Sequence, residues 1–318
     1  MTLELLQYLK DKWIDIFKSD CRNRHLTEET IRRYVSAVKM LLIFFEERGK
    51  TALDVDRHIL GDFVHYRRNC GGRNGVGVDQ KTLENDFSAL STFYDFLVFE
   101  EYTSNNPVLA VRKHYLIKYK DDEEERKVIT VEEMVMLINS ILSVRDKTIC
   151  VILAKTGIRR GELISLDIDD IDWAKQSITL KRKKFKKRSN RSVFFDDECH
   201  RLLKRWISTR SKMNLKTHAL FVGEHRERLN RNGVYSLVTK YAERIGLHNP
   251  ESERIEDHFS PHNFRHWFTT WLRRNKMPRE FIQVLRGDRR REAIDIYDRI
   301  DRDELRKAYL ASIPQLGI

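Results

Sequence analysis

"LTEETIRRYVSAVKMLLIFFEERG", residues 26–49, decides the fold class of the first half of this chain. Its apolar residues recur at spacings of three and four, which predicts one buried face of an amphipathic α-helix. Thr27 is a candidate N-cap and Gly49 a candidate C-terminal stop. The predicted buried positions are Ile31, Tyr34, Val35, Val38, Leu41, Leu42 and Phe45.

A second stretch, "TLENDFSALSTFYDFLVFEE" at 82–101, has the same helical spacing and is followed by "NNPV" at 105–108. We therefore expect residues 1–112 to form a helical domain. Residues 113–127 are mostly charged and show no sustained period, which predicts a solvated linker. Residues 128–318 would then form a second domain. The predicted apolar face of the helix at 82–101 consists of Leu83, Phe87, Leu90, Phe93, Tyr94 and Leu97.

The second half combines helices with a short β-hairpin. Thr130 and Glu133 have the spacing of a capping box at a helix start. "QSITLK" (176–181) and "RSVFF" (191–195) alternate apolar and polar residues, which predicts two strands joined by a basic tip. The predicted fold class is mainly α, with a small β-hairpin or sheet in the second domain.

Composition narrows the range of partners and compartments. The chain has 318 residues, a formal net charge of +12 and a pI near 9.5, which favours a polyanionic partner such as nucleic acid or an anionic membrane surface. The chain has no run of about 18 apolar residues, the length needed to span a bilayer. Its first residues lack the layout of a secretory signal. Four scattered cysteines indicate neither zinc nor disulfides, so we expect a reducing compartment, the cytoplasm.

Four segments of the second half carry groups suited to phosphodiester chemistry: "TGIRRGEL" (156–163), the basic tip (181–188), "SPHNFRHWFTT" (260–270) and "AIDIYDRIDRD" (293–303). Strand exchange without a cofactor requires a nucleophile, cations on the non-bridging oxygens and a proton donor for the leaving oxygen. The planar guanidinium group of arginine can donate to two phosphate oxygens at once, and it stays positively charged. A tyrosine phenol, with an ordinary pKa of about 10, requires help to lose its proton.

In the order and separation of these segments, the chain resembles the tyrosine recombinases, the family of phage integrases and Xer-type recombinases. The resemblance covers nearly the whole sequence and implies a helical core-binding domain, a linker and a catalytic domain. It implies that Arg159 is the first catalytic arginine, with Glu162 as its structural companion. His262 would be the acid/base partner, Arg265 the second clamp and Tyr297 the nucleophile.

The resemblance also implies a catalytic lysine in the hairpin. Counting forward from the first arginine segment favours Lys183, and Lys184 and Lys181 stay as alternatives. The tip could equally be a phosphate-binding finger without a proton role. The lysines that would grip the DNA backbone in either case are Lys184, Lys186 and Lys187.

One position departs from the family pattern. The family usually has "LGH" before the tyrosine, and the histidine, sometimes a tryptophan, contacts the phosphate. This chain has "LRGD" at 285–288, which puts Asp288 in that place. An ionised carboxylate donates no hydrogen bond. Arg289 or Arg290 could supply the contact instead, or Asp288 could orient an arginine.

Other interpretations stay open. Taken singly, each candidate residue could have a purely structural role. The aspartates of "LDIDDIDW" (166–173) allow a magnesium site and a metal-dependent nuclease, although an acidic turn into the first strand explains them better. A non-catalytic DNA-binding protein on the same fold is the other alternative.

The resemblance further implies double-stranded DNA as the partner, no membrane, no metal and no nucleotide cofactor. Four protomers would assemble on two DNA sites, and the protein would be a monomer or weak oligomer without DNA. Arg32, Arg33 and Arg231 are predicted backbone contacts. The amphipathic tail "RKAYLASIPQLGI" (306–318) could dock on a neighbouring protomer.

Overall fold

The computed structural model describes residues 3–72, 75–116, 128–181, 191–252, 254–288 and 300–318. The chain divides into two compact units, Met1–Glu123 and Glu124–Ile318. The predicted fold class is confirmed, since the described residues are mainly helical with one small antiparallel sheet. No helix in these ranges is long and apolar enough to cross a membrane.

The first unit is helical throughout its described residues. Aromatic and aliphatic side chains from these helices form one core, in which the ring centroids of Phe17 and Phe93 lie 5.2 Å apart, edge to face. The helices are α1 (Leu3–Asn23), α2 (Glu28–Glu46), α3 (Arg57–Asn69), α4 (Gln80–Phe99) and α5 (Val108–Tyr115).

Helix α2 forms where its apolar period predicts. The hydroxyl of Thr27 accepts the backbone N–H of Thr30 and caps the helix start. All predicted positions are buried except Tyr34, which is partly buried against the core. The helix ends at Glu46, shortly before Gly49, whose positive φ of 64° suits a residue without a side chain.

Helix α5 extends further than its charge pattern indicates. Residues 113–115, assigned above to the linker, form the last turn of α5. Leu116 follows as the C-cap of this helix, and the rest of the predicted linker, 117–127, lies outside the described residues.

The second unit has its own hydrophobic core. The capping box of Thr130 and Glu133 is present at the start of its first helix, as predicted. The helices are α6 (Val131–Asn139), α7 (Val144–Thr156), α8 (Arg160–Leu163), α9 (Asp197–Ser211), α10 (Arg231–Arg244), α11 (Pro261–Arg274), α12 (Arg279–Arg286) and α13 (Arg302–Ser312).

The sheet has the order β1–β2–β3, with β1 (Ile171–Asp172), β2 (Ser177–Leu180) and β3 (Arg191–Phe194). The predicted hairpin is β2–β3, in register with Ile178 opposite Val193. Strand β1 was not predicted, because two residues in an acidic stretch carry no readable period. The hairpin tip, 182–190, lies outside the described residues.

Helix α7 is the central element of this unit and packs against α9 and α11. Because it is buried on nearly all sides, it carries apolar residues around its whole circumference.

The last residues of the C-terminal tail pack on their own unit, and the prediction that the tail docks on a neighbouring protomer is not tested by a single chain. The Glu198 carboxylate accepts the backbone N–H groups of Leu316 at 2.9 Å and Gly317 at 2.6 Å. The side chain of Leu316 is buried in the core of the same unit. This contact satisfies both the apolar and the polar groups of the tail within one chain.

Candidate active site

Arg159 owes its position to a sharp turn at the end of α7. Gly157 ends that helix with a φ of 59°, a conformation that favours glycine. A Cβ at Gly157 would lie 2.3 Å from the Phe268 ring, so any side chain there would also separate α7 from α11. After this turn, Arg159 stands at the N-cap position of α8.

Arg265 reaches the same place from α11. Ser260 and Asn263 form a capping box at the start of this helix, and Pro261 occupies its first turn. Arg265 follows almost one turn after His262 and is only 4% exposed. Its Nη1 donates to the carbonyl oxygen of Gly157 at 2.7 Å, which ties α11 to the end of α7.

The two arginines converge on one carboxylate oxygen. Nη2 of Arg159 donates to Oδ1 of Asp288 at 2.9 Å, and Nη2 of Arg265 donates to the same atom at 3.0 Å. Both guanidinium groups also donate to the carbonyl oxygen of Arg286, at 3.0 and 2.9 Å respectively. Two side chains far apart in the sequence therefore share one position for an anion.

Asp288 is directed to this position by the end of α12. Gly287 terminates that helix with a φ of 62° and turns the next residue back toward the arginines. The side chain of Arg286 adds a third cation, with Nε 2.8 Å from Oδ2 of Asp288. Of the alternatives for this position, the structure has Asp288 itself in contact with the arginines, whereas Arg289 and Arg290 lie outside the described residues.

Burial and neighbouring positive charges lower the pKa of an arginine in this cluster. Desolvation, followed by the charges of Arg159 and Arg286, lowers the pKa of Arg265 to about 9, while Asp288 opposes the shift. Since this value is still above neutral pH, the guanidinium stays cationic. Three cations at close range create a strong preference for an anion between them.

Glu162 and Arg191 support the cluster from one side. Arg191 donates to both carboxylate oxygens of Glu162 at 3.0 and 2.9 Å, and its Nε donates to the Leu285 carbonyl at 3.1 Å. Glu162 also accepts the backbone N–H of Arg159 at 2.8 Å. Although burial alone would raise the pKa of Glu162, the hydrogen bonds from Arg191 hold this pKa below its ordinary value.

Arg191 was not among the predicted site residues. It begins β3, beside a run of basic residues from which nothing in the sequence distinguishes it. Its role follows from contacts with residues 29 and 94 positions away in the sequence, Glu162 and Leu285. The alternation of a strand predicts which side of the sheet a residue faces but not its distant partner.

His262 opens onto the same cavity as the two arginines. This cavity has a volume of about 330 Å³, and its lining includes Arg159, His262, Arg265 and the partly exposed Tyr235. The rings of His262 and His266 lie 4.5 Å apart, edge to face. The structure therefore brings together three of the predicted catalytic residues around a space open to solvent.

A family model supplies the deciding comparison. The model described as "Phage integrase family" matches residues 127–304, which include all of these site residues. The chain belongs to the phage integrase family. A second model, "Phage integrase, N-terminal SAM-like domain", matches residues 14–101 in the first unit.

Curated relatives of similar length include Xer recombinases. The chain is 25% identical over 302 residues to tyrosine recombinase XerD of Oceanobacillus iheyensis, covering 92% of this chain and 94% of that protein. It is 24% identical over 316 residues to tyrosine recombinase XerC of Proteus mirabilis, covering 98% and 95% respectively.

Solved integrase structures share the fold. The Tn1549 transposon integrase in complex with transposon right end DNA has a TM-score of 0.66 at 17% identity, covering 93% of this chain and 97% of that one. A lambda integrase dimer bound to a COC' core site has a TM-score of 0.65 at 17% identity, covering 92% and 80%.

Several residues implied by the integrase resemblance lie outside the described residues. They are Tyr297, Lys183, Lys184, Lys186 and Lys187. The remaining lysine alternative, Lys181, forms an ion pair with Asp170 at 2.5 Å. The hydrogen bond and the charge of Asp170 raise the pKa of Lys181, which makes this ammonium a weaker proton donor than a lysine without such a partner.

The predicted DNA-binding arginines occupy both units of this integrase. Arg32 and Arg33 are exposed on α2, on the side opposite its buried face. Arg231 begins α10, and its Nη2 would lie 3.4 Å from a Cβ added at Gly161. Arg231 is thus a close neighbour of the first arginine segment.

The aspartates weighed as a magnesium site form separate contacts. Asp167 pairs with Arg228 at 2.5 Å, and Oδ1 of Asp172 accepts the backbone N–H of Lys175 at 2.9 Å. Asp170 pairs with Lys181, as described above. Within the described ranges, no group of three or more His, Cys, Asp or Glu residues could hold a metal ion.

Proposed function

We propose that this chain recombines DNA at specific sites by transesterification, with Tyr297 as the nucleophile. Membership of the phage integrase family and the similarity to Xer tyrosine recombinases support this reaction class. The second unit would be the catalytic domain, and the first unit would be the core-binding domain on DNA.

In the proposed cleavage step, the phenolic oxygen of Tyr297 attacks the scissile phosphorus. The bond from phosphorus to the 5′ oxygen breaks, which leaves a 3′-phosphotyrosyl link and a free 5′ hydroxyl. The phenol loses one proton and the leaving oxygen gains one, so the step needs no net acid or base. Because the covalent link keeps the bond energy, a 5′ hydroxyl from another strand can reverse the step and rejoin DNA.

The shared anion position of Arg159 and Arg265 is the observation that carries this proposal. Both guanidinium groups donate to one oxygen of Asp288, at 2.9 and 3.0 Å. Carboxylate and phosphate oxygens are matched by the same guanidinium geometry. A pair of fixed cations directed at one oxygen is suited to the charge that develops on a pentacovalent phosphorane.

Two further residues would manage the protons. His262, on the same cavity, would act on the proton balance at the phosphorane. Lys183 would protonate the 5′ oxygen, with Lys184 as the alternative in the hairpin tip. Arg191 and Glu162 would keep the first arginine in place without touching DNA.

DNA binding would extend beyond the cleavage site. Arg32, Arg33 and Arg231, with the hairpin lysines, would contact the phosphate backbone and position the duplex. The net charge of +12 supports binding that weakens steeply with salt. The active assembly would contain four protomers on two DNA sites, and multi-angle light scattering of the DNA complex measures that number directly.

The experiment traps the covalent intermediate. The protein is incubated in EDTA with a nicked suicide duplex that carries its binding site, and the products are separated in SDS. We expect an SDS-resistant adduct that disappears in Tyr297→Phe and persists in the matched control Tyr102→Phe, a partly exposed tyrosine of the first unit. Tryptic mapping should place the adduct in the peptide of residues 292–299.

The alternatives give different products. A metal-dependent nuclease would cleave only with added metal and leave no adduct. A non-catalytic DNA-binding protein would shift the duplex in a salt-sensitive way and leave it intact. An adduct on a tyrosine other than Tyr297 would contradict the assignment of the nucleophile while supporting the reaction class.

A further inference from the structure

Asp288 has an unusual place among the site residues, because it is an acid at the point where the arginines meet. Oδ1 accepts from Arg159 and from Arg265, and Oδ2 lies 2.8 Å from Nε of Arg286. Both carboxylate oxygens are thus directed at guanidinium groups. A substrate phosphate held by the same two arginines would need the space that this carboxylate fills.

The contacts resemble those of a ligand more than those of a buried structural ion pair. The side chain of Asp288 is 30% exposed and that of Arg159 is 29% exposed, so the carboxylate is not sealed from solvent. Asp288 directly follows Gly287, the last residue of the α12 cap. A carboxylate on a partly exposed side chain can leave this position without unfolding the helices behind it.

Supporting contacts hold the arginines when the carboxylate is gone. Arg265 still donates a hydrogen bond to the Gly157 carbonyl. Arg159 and Arg265 both still donate to the carbonyl oxygen of Arg286. Glu162 retains the backbone N–H of Arg159. The anion position is therefore built by several contacts besides those to Asp288.

We propose that Asp288 is an internal competitor for the phosphate site: its carboxylate occupies the position of a non-bridging oxygen and must be displaced before both arginines can hold the scissile phosphate. This inference rests on the proposed function.

The opposite role is a permanent positioning residue that orients the arginines for substrate. The two roles predict opposite effects of removing the charge. A competitor weakens anion binding, so its neutralisation strengthens binding. A positioning residue supports anion binding, so its neutralisation weakens binding.

The test measures binding of inorganic sulfate to the full-length chain without DNA. Calorimetric titrations at constant ionic strength, balanced with sodium chloride, compare the wild type with Asp288→Asn and Asp288→Ser. We expect sulfate to bind both variants at least about tenfold more tightly than the wild type, because a like charge no longer opposes it. The matched control Asp169→Asn removes one exposed carboxylate elsewhere and should bind sulfate as the wild type does.

A second variant locates the site. Arg159→Ala in the Asp288→Asn background should abolish the gain in sulfate affinity. Equal or weaker sulfate binding by a folded Asp288 variant, or a gain that survives Arg159→Ala, would overturn the proposal. If one substitution at 288 prevents folding, the other gives the result.

The test is independent of strand cleavage. A gain in sulfate affinity without any Tyr297 adduct would support the competitor and contradict the proposed reaction. A Tyr297 adduct in the wild type, with no gain in sulfate affinity in either Asp288 variant, would support the proposed reaction and contradict the competitor role of Asp288. Each proposal can therefore fail alone.

Discussion

Two clusters in the second unit use the same chemistry for different ends. In one, Lys155 is fully buried and donates to Asp196 at 2.6 Å, Glu198 at 2.5 Å and the Pro314 carbonyl at 2.7 Å. In the other, Arg159 and Arg265 line an open cavity and both donate to Asp288. The first cluster has one cation enclosed by two acids, whereas the second has one acid among several cations.

The difference lies in access and in the balance of charge. The Lys155 cluster is closed to solvent and joins α7, α9 and the C-terminal tail, so its contacts serve folding. The arginine cluster has an excess of positive charge and an exposed face, so its contacts serve an anion from outside. Burial converts an ion pair into a structural element, and partial exposure keeps it available for a substrate.

The largest expected effect is on folding, in Lys155→Met. Removal of the cation leaves the carboxylates of Asp196 and Glu198 buried without a positive charge beside them. We expect a loss of about 3–5 kcal/mol in the free energy of unfolding, measured by urea denaturation. Lys147→Met on the same helix is the matched control and should cost under about 1 kcal/mol. A similar small loss at both positions would show that the cluster is not structural.

Arg265→Lys tests the arginine cluster. Lysine retains a positive charge but cannot donate to the Gly157 carbonyl and to the anion position at once. We expect the rate of covalent adduct formation to fall by about 10²–10³, which is about 2.7–4 kcal/mol. Arg273→Lys, exposed on the same helix, should react at the wild-type rate. An undiminished rate in Arg265→Lys would remove this residue from the proposed clamp.

Gly287→Ala sharpens the geometry of the open cluster. The new Cβ would lie 2.6 Å from Nη1 of Arg191, at a φ of 62°. The matched control Gly246→Ala has a φ of 76° but nothing within 4 Å of its Cβ, so it isolates the backbone strain. We expect the free energy of unfolding to fall by about 1–2 kcal/mol more at Gly287 than at Gly246. An equal loss in the free energy of unfolding at both glycines would mean that Arg191 can move away from the new Cβ without cost.

The smallest effect concerns acid stability through Glu162. The pKa of Glu162 is lower in the folded state than in the unfolded chain, where it is near 4.5. Its contribution is therefore complete above that value and is lost as the pH falls through the folded pKa. We expect Glu162→Gln to cost about 1 kcal/mol at pH 7, and this cost should shrink as the pH falls below the unfolded pKa and through the folded pKa. Glu280→Gln, at an exposed position on α12, is the matched control and should cost under about 0.5 kcal/mol at pH 7 in the same urea titrations.

Some features were predictable because they depend on near neighbours in the chain. The buried face of α2, its Thr27 cap and the capping box of Thr130 and Glu133 follow from spacings of three and four residues. The β2–β3 hairpin follows from alternation in two short strands. These patterns work because helix and strand geometry repeats over a few residues.

Other features depended on contacts that no local pattern encodes. Arg191 joins the site through Glu162 and Leu285, and β1 is too short to carry a period. The tail docks on its own unit because Glu198 accepts its backbone N–H groups. Such contacts require the whole fold to bring distant residues together.

The sequence by itself determined the helical class, the hairpin, the basic charge and the order of the segments that identify the family resemblance. Only the tertiary structure decided that Arg159 and Arg265 share one anion position and that Asp288 fills it. The physical reason is the range of the forces involved. Periodicity and capping act within a few residues, whereas a shared hydrogen-bond acceptor depends on the packing of α7, α11 and α12 against one another.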